Sequence, residues 1–491
     1  MKDTLLTLNE LLSAVNGKLL AGFDAAVIEK DFCFRSVVTD SRFVSINSLF
    51  VPLIGEFQNG HKYVPQAVEA GASVVFVNEV EAEKDCLFYT ELQKKSGCVF
   101  VIVNNTLYAL QAAAAAYVDK TCQNMIRVSI TGSSGKTTTK EMLVSVCKAH
   151  FGEEAVAYTK GNFNSETGLP LSMFLIRGDE KIGIFEMGMN RKNEIGEISA
   201  VWKSQYGIIT NIGNAHIGIL GSRQNIAEEK RKSFDYIPST GAAFVPAEDD
   251  FADYCTQKVA GEVIRFGKTI PESVSGVCFE KDLGLLGTKF SIDGIETWLH
   301  LPGDYNYQNA LGVIALAKKL GIPVAAIKAG LEQVSAMSGR MEVKECELKS
   351  GLKATVICDC YNANPDSMKR VIEFCRDIKI SGNKIFVLGD MKELGDKAKE
   401  AHEEIGKLAA ASDAALVVLA GPEMKAASDA IAALAKKTTV NYFENSGDDF
   451  FAGASKIILE NAKADSLILI KGSHSMELEK LIPQLVKEDA Q

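Results

Sequence analysis

The chain has 491 residues, of which 47% are hydrophobic and 24% charged, so its composition is that of an ordinary globular protein. At about 150 residues per domain, this length predicts about three domains, each large enough to bury its own core. The net charge is −10 and no segment gathers Lys and Arg. This argues against nucleic acid as a partner, because binding to its phosphate backbone needs clustered cations.

Eleven cysteines are scattered along the chain, and the close pair Cys358 and Cys360 has neither zinc-ligand nor C-x-x-C spacing. Such a set is typical of reduced thiols in a cytoplasm. The first residues, MKDTLLTLNELLSAVNGKLL, have the pattern of an amphipathic helix rather than of a signal peptide. No run approaches the roughly 18 apolar residues of a membrane span. We therefore expect a cytoplasmic protein without membrane insertion.

Residues 1–118 are expected to form the first domain, a mixture of short strands and helices. The segments SLFVPLIG (48–55) and ASVVFV (72–77) predict buried strands. The alanine-rich segment LYALQAAAAAYVDK (107–120) predicts a helix that ends this domain.

From Met125 the pattern changes to an apolar strand, a polar or glycine loop, and then a helix. Four such strands are MIRVSI, KIGIFEMG, YGIITNIG and GAAFVP, which indicate a parallel sheet in an α/β domain over residues 119–337. The pattern restarts in a third domain, residues 338–491, with ATVICDCYNANP, KIFVLGDM, AALVVLAG and SLILIKGS. These runs close on polar or small residues, as expected for strands whose carboxyl ends face a ligand crevice.

The segment ITGSSGKTTTKE (130–141) looks like a shortened nucleotide phosphate loop. The standard loop, G-x-x-x-x-G-K-S/T, would place its first glycine at Ile130, whereas the glycine here is Gly132. A predicted strand precedes the loop and a predicted helix follows it, a setting that favours a bound anion. Lys136 is placed to contact the β- and γ-phosphates of a nucleotide, and the Thr137 hydroxyl to bind Mg²⁺. The alternative is a glycine-serine turn with an incidental lysine.

Two further candidate ligands follow predicted strands. Glu186 ends the strand KIGIFEMG and His216 follows YGIITNIGNA, so both are placed beside the phosphate loop to hold Mg²⁺ or a water. Histidine is an unusual ligand for Mg²⁺, and alone His216 reads as a hydrogen-bonded core residue. Lys230, in NIAEEKRKSF, lies on a charged predicted helix, and the residues alone predict a solvated lysine there.

The T-G-x-x-G-K-T loop resembles that of the Mur ligases and the folylpolyglutamate synthetases, which are ATP-dependent amide-forming enzymes. Other segments, in order over residues 37–477, narrow the resemblance to the Mur ligase family, and Y-N-A-N-P-x-S-M is the most specific of them. These segments are TDSR (39–42), GEFQNGH (55–61), GNFNSETGLP (161–170), ITNIGNAHIGILGS (209–222), SGRME (338–342), DCYNANPDSM (359–368), LGDMKELG (388–395) and KGSHSME (471–477).

The resemblance implies a central P-loop ATPase-like domain with a parallel sheet, flanked by an N-terminal UDP-substrate domain and a C-terminal Rossmann-like domain that closes on the site. It also implies a reaction. ATP would phosphorylate the terminal carboxylate of UDP-N-acetylmuramoyl-tripeptide, and the amine of D-alanyl-D-alanine would attack the acyl phosphate. This is a cytoplasmic step of peptidoglycan precursor synthesis. The family suggests a monomer, and the third residue of the tripeptide, lysine or diaminopimelate, stays open.

The resemblance also assigns roles to residues. The implied catalytic residues are Lys136, Glu186, His216, Lys230, Arg340 and Asp359. ATP would be held by Thr131, Gly132, Ser133, Ser134, Gly135, Lys136, Thr137, Thr138 and Arg340, with Asn309 at the adenine. Magnesium would be bound by Thr137, Glu186, His216 and Lys230. The substrates would be contacted by Ser41, Arg42, Asn162, Asn164, Tyr361, Asn362 and Asn364. In the family the lysine matching Lys230 is carbamylated, which turns a cation into an anion able to bind a second Mg²⁺.

Some positions depart from the family pattern. Asn59, Ser165 and Tyr305 stand where aspartate, asparagine and histidine are common, and FVPAEDD lacks the asparagine often found before its acidic pair. These departures affect the expected contacts with the UDP substrate and with adenine. They leave the residues assigned to the reaction unchanged.

Four alternative functions are possible for such a chain, and a feature of the sequence argues against each. A sister Mur ligase adding diaminopimelate or lysine lacks support because no D-N-P-R-type stretch is found. A folylpolyglutamate synthetase would leave TDSR unexplained. A non-catalytic nucleotide-binding protein would be expected to lose Lys136, Glu186 or His216, and all three are present. A GTPase switch would need a full loop and an N-K-x-D base reader, but NKIF ends in Phe386.

Overall fold

The computed structural model describes residues 4–20, 32–434 and 437–487. Within these residues the strands form four sheets, and each sheet lies inside one of the predicted domains. The helix Thr106–Thr121 continues past the predicted boundary at residue 118. The boundaries at 118 and 337 stay a prediction.

The N-terminal sheet has five strands in the order β1-β5-β4-β3-β2, parallel except for β1. Its strands are β1 (Lys18–Leu19), β2 (Ser36–Val38), β3 (Ser48–Phe50), β4 (Ala72–Asn78) and β5 (Val99–Val103). Its helices are α1 (Leu8–Val15), α2 (Val64–Glu69), α3 (Glu79–Lys84), α4 (Cys86–Ser96) and α5 (Thr106–Thr121). The predicted strand at 48–55 ends early, at Phe50, and the amphipathic N-terminal helix covers only α1; residues 1–3 of that prediction lie outside the described residues.

The central sheet has six parallel strands in the order β11-β10-β9-β6-β8-β7. They are β6 (Ile126–Thr131), β7 (Val156–Tyr158), β8 (Ile182–Glu186), β9 (Tyr206–Ile209), β10 (Ala242–Pro246) and β11 (Glu262–Phe266). A three-stranded antiparallel sheet follows, which the sequence did not predict: β12 (Val277–Asp282), β13 (Thr288–Ile292) and β14 (Ile295–Leu299). The helices are α6 (Lys136–Phe151), α7 (Gly168–Met173), α8 (Glu194–Trp202), α9 (Ile217–Leu220), α10 (Arg223–Arg231), α11 (Ala252–Thr256), α12 (Glu272–Ser275), α13 (Asp304–Lys319) and α14 (Val324–Gln333).

The strand order of the central sheet positions the site. β6 lies between β8 and β9, so the chain winds to one side of β6 and then to the other. The carboxyl ends of these three neighbours carry the phosphate loop, Glu186 and the segment that leads to His216. Ligands of open α/β sheets bind at such a switch point, because the loops diverge there and leave a crevice.

The C-terminal sheet has six strands in the order β15-β16-β20-β17-β18-β19, parallel except for β15. Its strands are β15 (Glu342–Glu347), β16 (Lys353–Cys358), β17 (Lys384–Gly389), β18 (Leu416–Ala420), β19 (Thr439–Phe443) and β20 (Ser466–Lys471). Its helices are α15 (Pro365–Asp377), α16 (Ala398–Ala410), α17 (Met424–Leu434), α18 (Asp448–Asn461) and α19 (Ile482–Leu485). The predicted α/β class with parallel sheets is confirmed. In the part of the chain that the structure describes, no helix has the length and apolar character to cross a bilayer.

Candidate active site

The phosphate loop is packed closely between the end of β6 and the start of α6. A Cβ on residue 132 would lie 1.8 Å from Thr210 Oγ1, and one on residue 135 would lie 2.8 Å from Asn309 Nδ2. Gly135 also has a φ of +79°, which favours glycine. Glycine is therefore required at both positions because Thr210, just after β9, and Asn309, on α13, lie against the loop.

The segment that follows β9 holds the loop in place. Thr210 Oγ1 donates a hydrogen bond to the Ser134 carbonyl at 2.5 Å, and the Ser134 N–H donates to Asn211 Oδ1 at 3.2 Å. The Gly213 N–H donates to Ser133 Oγ at 2.9 Å. Residues 210–214, called the brace below, therefore keep the loop in one conformation. Such preorganisation lowers the cost of binding a phosphate there.

Lys136, the first residue of α6, is folded back over the loop. Its Nζ donates a hydrogen bond to the Gly132 carbonyl at 2.9 Å. Removal from water lowers the pKa of this amine, and the nearby Glu186 carboxylate acts in the opposite direction. The cation is thus held close to the centre of the loop, where phosphate oxygens would lie.

Glu186, at the carboxyl end of β8, is 1% exposed. Asn164 Nδ2 donates to its Oε1 at 2.7 Å, whereas its Oε2 is buried and has no hydrogen-bond partner among the described residues. A buried carboxylate oxygen without a partner is costly, so a ligand for it is expected. Asn164, predicted to contact substrate, positions this carboxylate.

His216 follows β9 and touches the C-terminal domain. Its Nδ1 lies 2.6 Å from Glu393 Oε2, and the Gly218 N–H donates to the Glu393 carbonyl at 3.0 Å. The hydrogen bond from His216 lowers the pKa of Glu393. His216 is therefore not a core residue: its ring lines the cleft between the two domains.

Lys230 contradicts the expectation, from its residues alone, of a solvated lysine. It lies on α10 with only 1% of its surface exposed. No carboxylate forms an ion pair with it within residues 4–20, 32–434 and 437–487. Burial, and then the charge of Lys136, place the pKa of Lys230 well below its ordinary value. The neighbouring Glu229 accepts hydrogen bonds from two backbone N–H groups and from Lys232 instead.

The C-terminal domain contributes the other wall of the cleft. Asp359, just after β16, receives a hydrogen bond from Lys471 Nζ at 2.5 Å and one from the Met341 N–H at 3.1 Å. Lys471 ends the adjacent strand β20 and is 1% exposed. The Arg340 guanidinium lies 3.7 Å from the centre of the Tyr361 ring. A stacked cation and a paired carboxylate therefore face the phosphate loop.

The cleft between the two domains has a volume of about 460 Å³. It brings together most of the predicted site residues, from both domains. Those lining it are Ser133, Ser134, Gly135, Lys136, Thr137, Thr138, Asn162, Asn164, Glu186, His216, Asn309, Arg340, Asp359, Tyr361, Asn362 and Asn364. Lys230 does not line the cleft; it is buried in the same domain, where the charges of Lys136 and Glu186 act on it.

Other predicted residues have local structural contacts. Thr131 Oγ1 donates to the Met187 carbonyl inside the sheet, and Asn364 Oδ1 caps α15 by accepting the Ser367 N–H. Ser41 and Arg42 lie in the N-terminal domain and do not line the cleft; Ser41 Oγ donates to Gln66, and Arg42 pairs with the Asp40 carboxylate. Their sequence context did not reveal these contacts.

Three residues of the C-terminal domain were not predicted from the sequence: Lys471 pairs with Asp359, Glu393 contacts His216, and Arg370 reaches Ser134 of the phosphate loop. Lys471 and Glu393 lie inside the quoted segments KGSHSME and LGDMKELG, so a signal for them was present. Arg370 follows the segment DCYNANPDSM on a helical face, and nothing in the sequence distinguished it from Lys369 beside it.

The GEFQNGH segment of the N-terminal domain contains a buried neutral histidine. His61 is 5% exposed; its Nδ1–H donates to Asn59 Oδ1 at 2.8 Å, and its Nε2 accepts the Asn78 N–H at 2.9 Å. Burial lowers the pKa of His61 to about 4 from its ordinary 6.5. Asn59, where the family commonly has aspartate, thus orients the ring.

Stability should fall in acid because of His61. The unfolded chain takes up a proton near pH 6.5 and the folded one only near pH 4, so the contribution of His61 is complete above pH 6.5 and is lost as pH falls to about 4. We expect a loss of about 1 to 3 kcal/mol over this range, allowing for partial solvent screening. Urea unfolding of wild type and His61→Gln at several pH values measures it. If the free energy of unfolding fell with pH equally in the two proteins, His61 would not be the cause of the loss.

Two domains of known families match the chain. The Mur ligase middle domain matches residues 130–317, and the Mur ligase, glutamate ligase domain matches residues 339–474. A protein of Treponema pallidum named UDP-N-acetylmuramoyl-tripeptide–D-alanyl-D-alanine ligase is 37% identical over 485 residues, covering 99% of this chain and 100% of that protein.

Solved structures are also similar. A crystal structure of MurF from Acinetobacter baumannii superposes with a TM-score of 0.81 at 27% identity, covering 97% of both chains. MurF of Thermotoga maritima in complex with ADP superposes with a TM-score of 0.73 at 23% identity, covering 91% of this chain and 96% of that one, which shows a shared fold. Since the two matched domains cover more than half of the chain and the identity extends over nearly its whole length, the chain belongs to the Mur ligase family.

Proposed function

We propose that the protein is an ATP-dependent ligase that joins D-alanyl-D-alanine to UDP-N-acetylmuramoyl-tripeptide through an acyl phosphate, with release of ADP and phosphate. The observation that carries this proposal is the cleft in which Lys136 and Glu186 face Arg340 and Asp359 across the two domains. The name of the Treponema pallidum relative, which matches along its full length, supports the choice of substrates. The step belongs to peptidoglycan precursor synthesis in the cytoplasm.

The residues of the cleft fit a magnesium nucleotide. Thr137 and the unpartnered Glu186 Oε2 would hold one Mg²⁺ beside the phosphates. Among the described residues no three His, Cys, Asp or Glu side chains are grouped as a metal site. This suits Mg²⁺, which is commonly bound by one or two carboxylates, water and substrate phosphates. The bound ion would neutralise charge on the transferred phosphoryl group.

A second metal position would be formed by His216 and a carbamylated Lys230. The contact of His216 Nδ1 with Glu393 leaves Nε2 as the metal-binding nitrogen, an arrangement common around metal sites. Carbamylation joins the Lys230 nitrogen to the carbon of CO₂ and releases one N–H proton. Two observations support carbamylation. Lys230 is buried without a paired carboxylate, and the positive charge of Lys136 acts on it; a carbamate would balance that charge.

The residues of the chain then act on the phosphoryl group and on the peptide. Lys136 would bind the γ-phosphate oxygens, where negative charge grows as the tripeptide carboxylate attacks. Arg340 of the C-terminal domain would bind the same γ-phosphate with two N–H groups, because a guanidinium binds phosphate in a bidentate manner. Asp359, held by Lys471, faces the cleft as an acceptor for the incoming amine.

The remaining assignments concern binding and organisation. The N-terminal domain, residues 1–118, would hold the UDP part of the substrate through Ser41 and Arg42, and Asn162 would face the muramoyl peptide. The central domain, 119–337, would bind ATP, with Asn309 at the nucleotide. The C-terminal domain, 338–491, would close on ATP and present Tyr361, Asn362 and Asn364 to the dipeptide. We propose that the protein acts as a monomer.

Phosphate release from ATP and Mg²⁺ tests the function. The assay supplies UDP-N-acetylmuramoyl-tripeptide, with lysine or diaminopimelate as its third residue, in the presence and absence of D-alanyl-D-alanine. We expect release only with both substrates, and a product heavier by one dipeptide less one water. Release with a single amino acid instead would identify a sister ligase. No release with any pairing would refute ligase activity.

A further inference from the structure

Helix α15 of the C-terminal domain is attached to the brace of the central domain. Asp366, in its first turn, accepts hydrogen bonds from the Asn214 N–H at 2.6 Å and from Asn214 Nδ2 at 3.1 Å. A Cβ on residue 213 would lie 2.3 Å from Asp366 Oδ2, so the approach needs glycine there. Because the brace also holds Ser133 and Ser134, α15 has a defined position relative to the phosphate loop.

Arg370 lies one turn after Asp366, on the same face of α15. Its Nη1 donates to Ser134 Oγ, at the long distance of 3.4 Å. The side chain is half-buried and lines both the cleft and an adjoining cavity of about 1180 Å³. Arg370 therefore reaches the phosphate loop from the opposite domain, with most of its five N–H donors available.

The charges around Arg370 indicate an anion. No Asp or Glu oxygen lies within ion-pair distance of Arg370 in the described part of the chain, whereas Arg376 on the same helix pairs with Asp377 at 2.8 Å. Lys136 and Arg340 line the same cleft, so three cations contribute to its surface. Such a group of partly desolvated cations is costly unless an anion is bound among them.

We propose that Arg370 binds a phosphate oxygen of the nucleotide held by the phosphate loop at Ser134, and so makes nucleotide affinity depend on the docking of α15. This inference rests on the proposed function, since ATP is its ligand. The contact joins an arginine of one domain to a nucleotide of the other. Bound ATP would therefore stabilise α15 in contact with the brace, and loss of that contact would weaken the binding of ATP.

Nucleotide binding by Arg370→Met tests the proposal, because methionine keeps much of the aliphatic stem and removes the charge. The matched control is Lys369→Met, which removes the same charge from an exposed neighbour on the same helix. Isothermal titration measures the Kd for ATP, and thermal unfolding measures Tm with and without ATP. We expect Kd to rise about 10- to 100-fold in Arg370→Met, as for loss of a charge-assisted hydrogen bond, with partial recovery in Arg370→Lys.

The outcomes separate the two proposals. If wild type does not bind ATP, the proposed function fails. If wild type binds ATP and Arg370→Met binds it as tightly as Lys369→Met does, the role of Arg370 is refuted. A lowered Tm without nucleotide, at unchanged Kd, would show that Arg370 only packs against Ser134 and would equally refute it. A raised Kd at unchanged Tm without nucleotide supports the proposal.

Discussion

Replacing Lys136 with alanine is expected to reduce ATP turnover by at least about 10³-fold, in the range found for cations that stabilise phosphoryl transfer. The ammonium group donates to the Gly132 carbonyl at 2.9 Å inside the loop, so it is in position before ATP binds. Its loss removes positive charge from the point where negative charge develops, and water entering the cavity cannot replace a preorganised cation. Phosphate release with both substrates measures the effect.

The Lys136→Met variant separates charge from packing, since it keeps an unbranched side chain in the loop. It should be as inactive as Lys136→Ala. Lys94→Ala, at an exposed position on α4 of the N-terminal domain, should keep wild-type turnover. Unfolding curves of all variants establish that they are folded. If a folded Lys136→Met protein kept more than about a tenth of wild-type turnover, the proposed role of Lys136 in phosphoryl transfer would be refuted.

Replacing Lys230 with alanine should abolish most of the ligase activity, and added short carboxylates such as acetate should restore part of it. The reason is steric as well as electrostatic: the shorter alanine side chain would leave a space at the buried position of Lys230 that a small carboxylate can enter. The carboxylate would then supply the negative charge of the proposed carbamate. Ligase rates over a series of acetate and formate concentrations measure the rescue.

Lys140→Ala is the matched control for Lys230, because Lys140 is equally buried in the same domain. Its Nζ is already paired, with the Thr159 carbonyl at 2.7 Å and with Glu141 at 2.8 Å. Carboxylates should not raise the activity of this variant. Full activity of Lys230→Ala, or equal rescue of both variants, would falsify the carbamate role. Mass spectrometry of the native wild-type protein, equilibrated with labelled bicarbonate, tests the adduct independently.

Much of the fold could be predicted because strands and helices have local signatures. The eight predicted strands of the central and C-terminal domains are all found, with ends shifted by a few residues. Their apolar runs end where the chain leaves the sheet, so the phosphate loop and Glu186 could be placed at strand ends. The antiparallel strands β12, β13 and β14 were missed: β12 ends in exposed charged residues and β14 begins with two exposed residues, although the short β13 alternates regularly.

Lys230 shows the limit of local pattern. Its helix, RQNIAEEKR, contains seven charged or amide side chains that predict solvent on most faces, yet Glu229 and Lys230 are both buried. Burial of Lys230 depends on which elements pack over α10, and helical periodicity contains no information on that. The residue was identified through the family resemblance, and the structure shows its surroundings.

The sequence by itself determined the elements, the class of the sheets, the phosphate loop and the family segments, because each of these is encoded in neighbouring residues. Tertiary structure alone decided the pairing of Lys471 with Asp359, the contact of His216 with Glu393 and the approach of Arg370 to Ser134. Each joins residues more than a hundred positions apart. Such contacts depend on strand order and on the docking of two domains, which result from the packing of the whole chain.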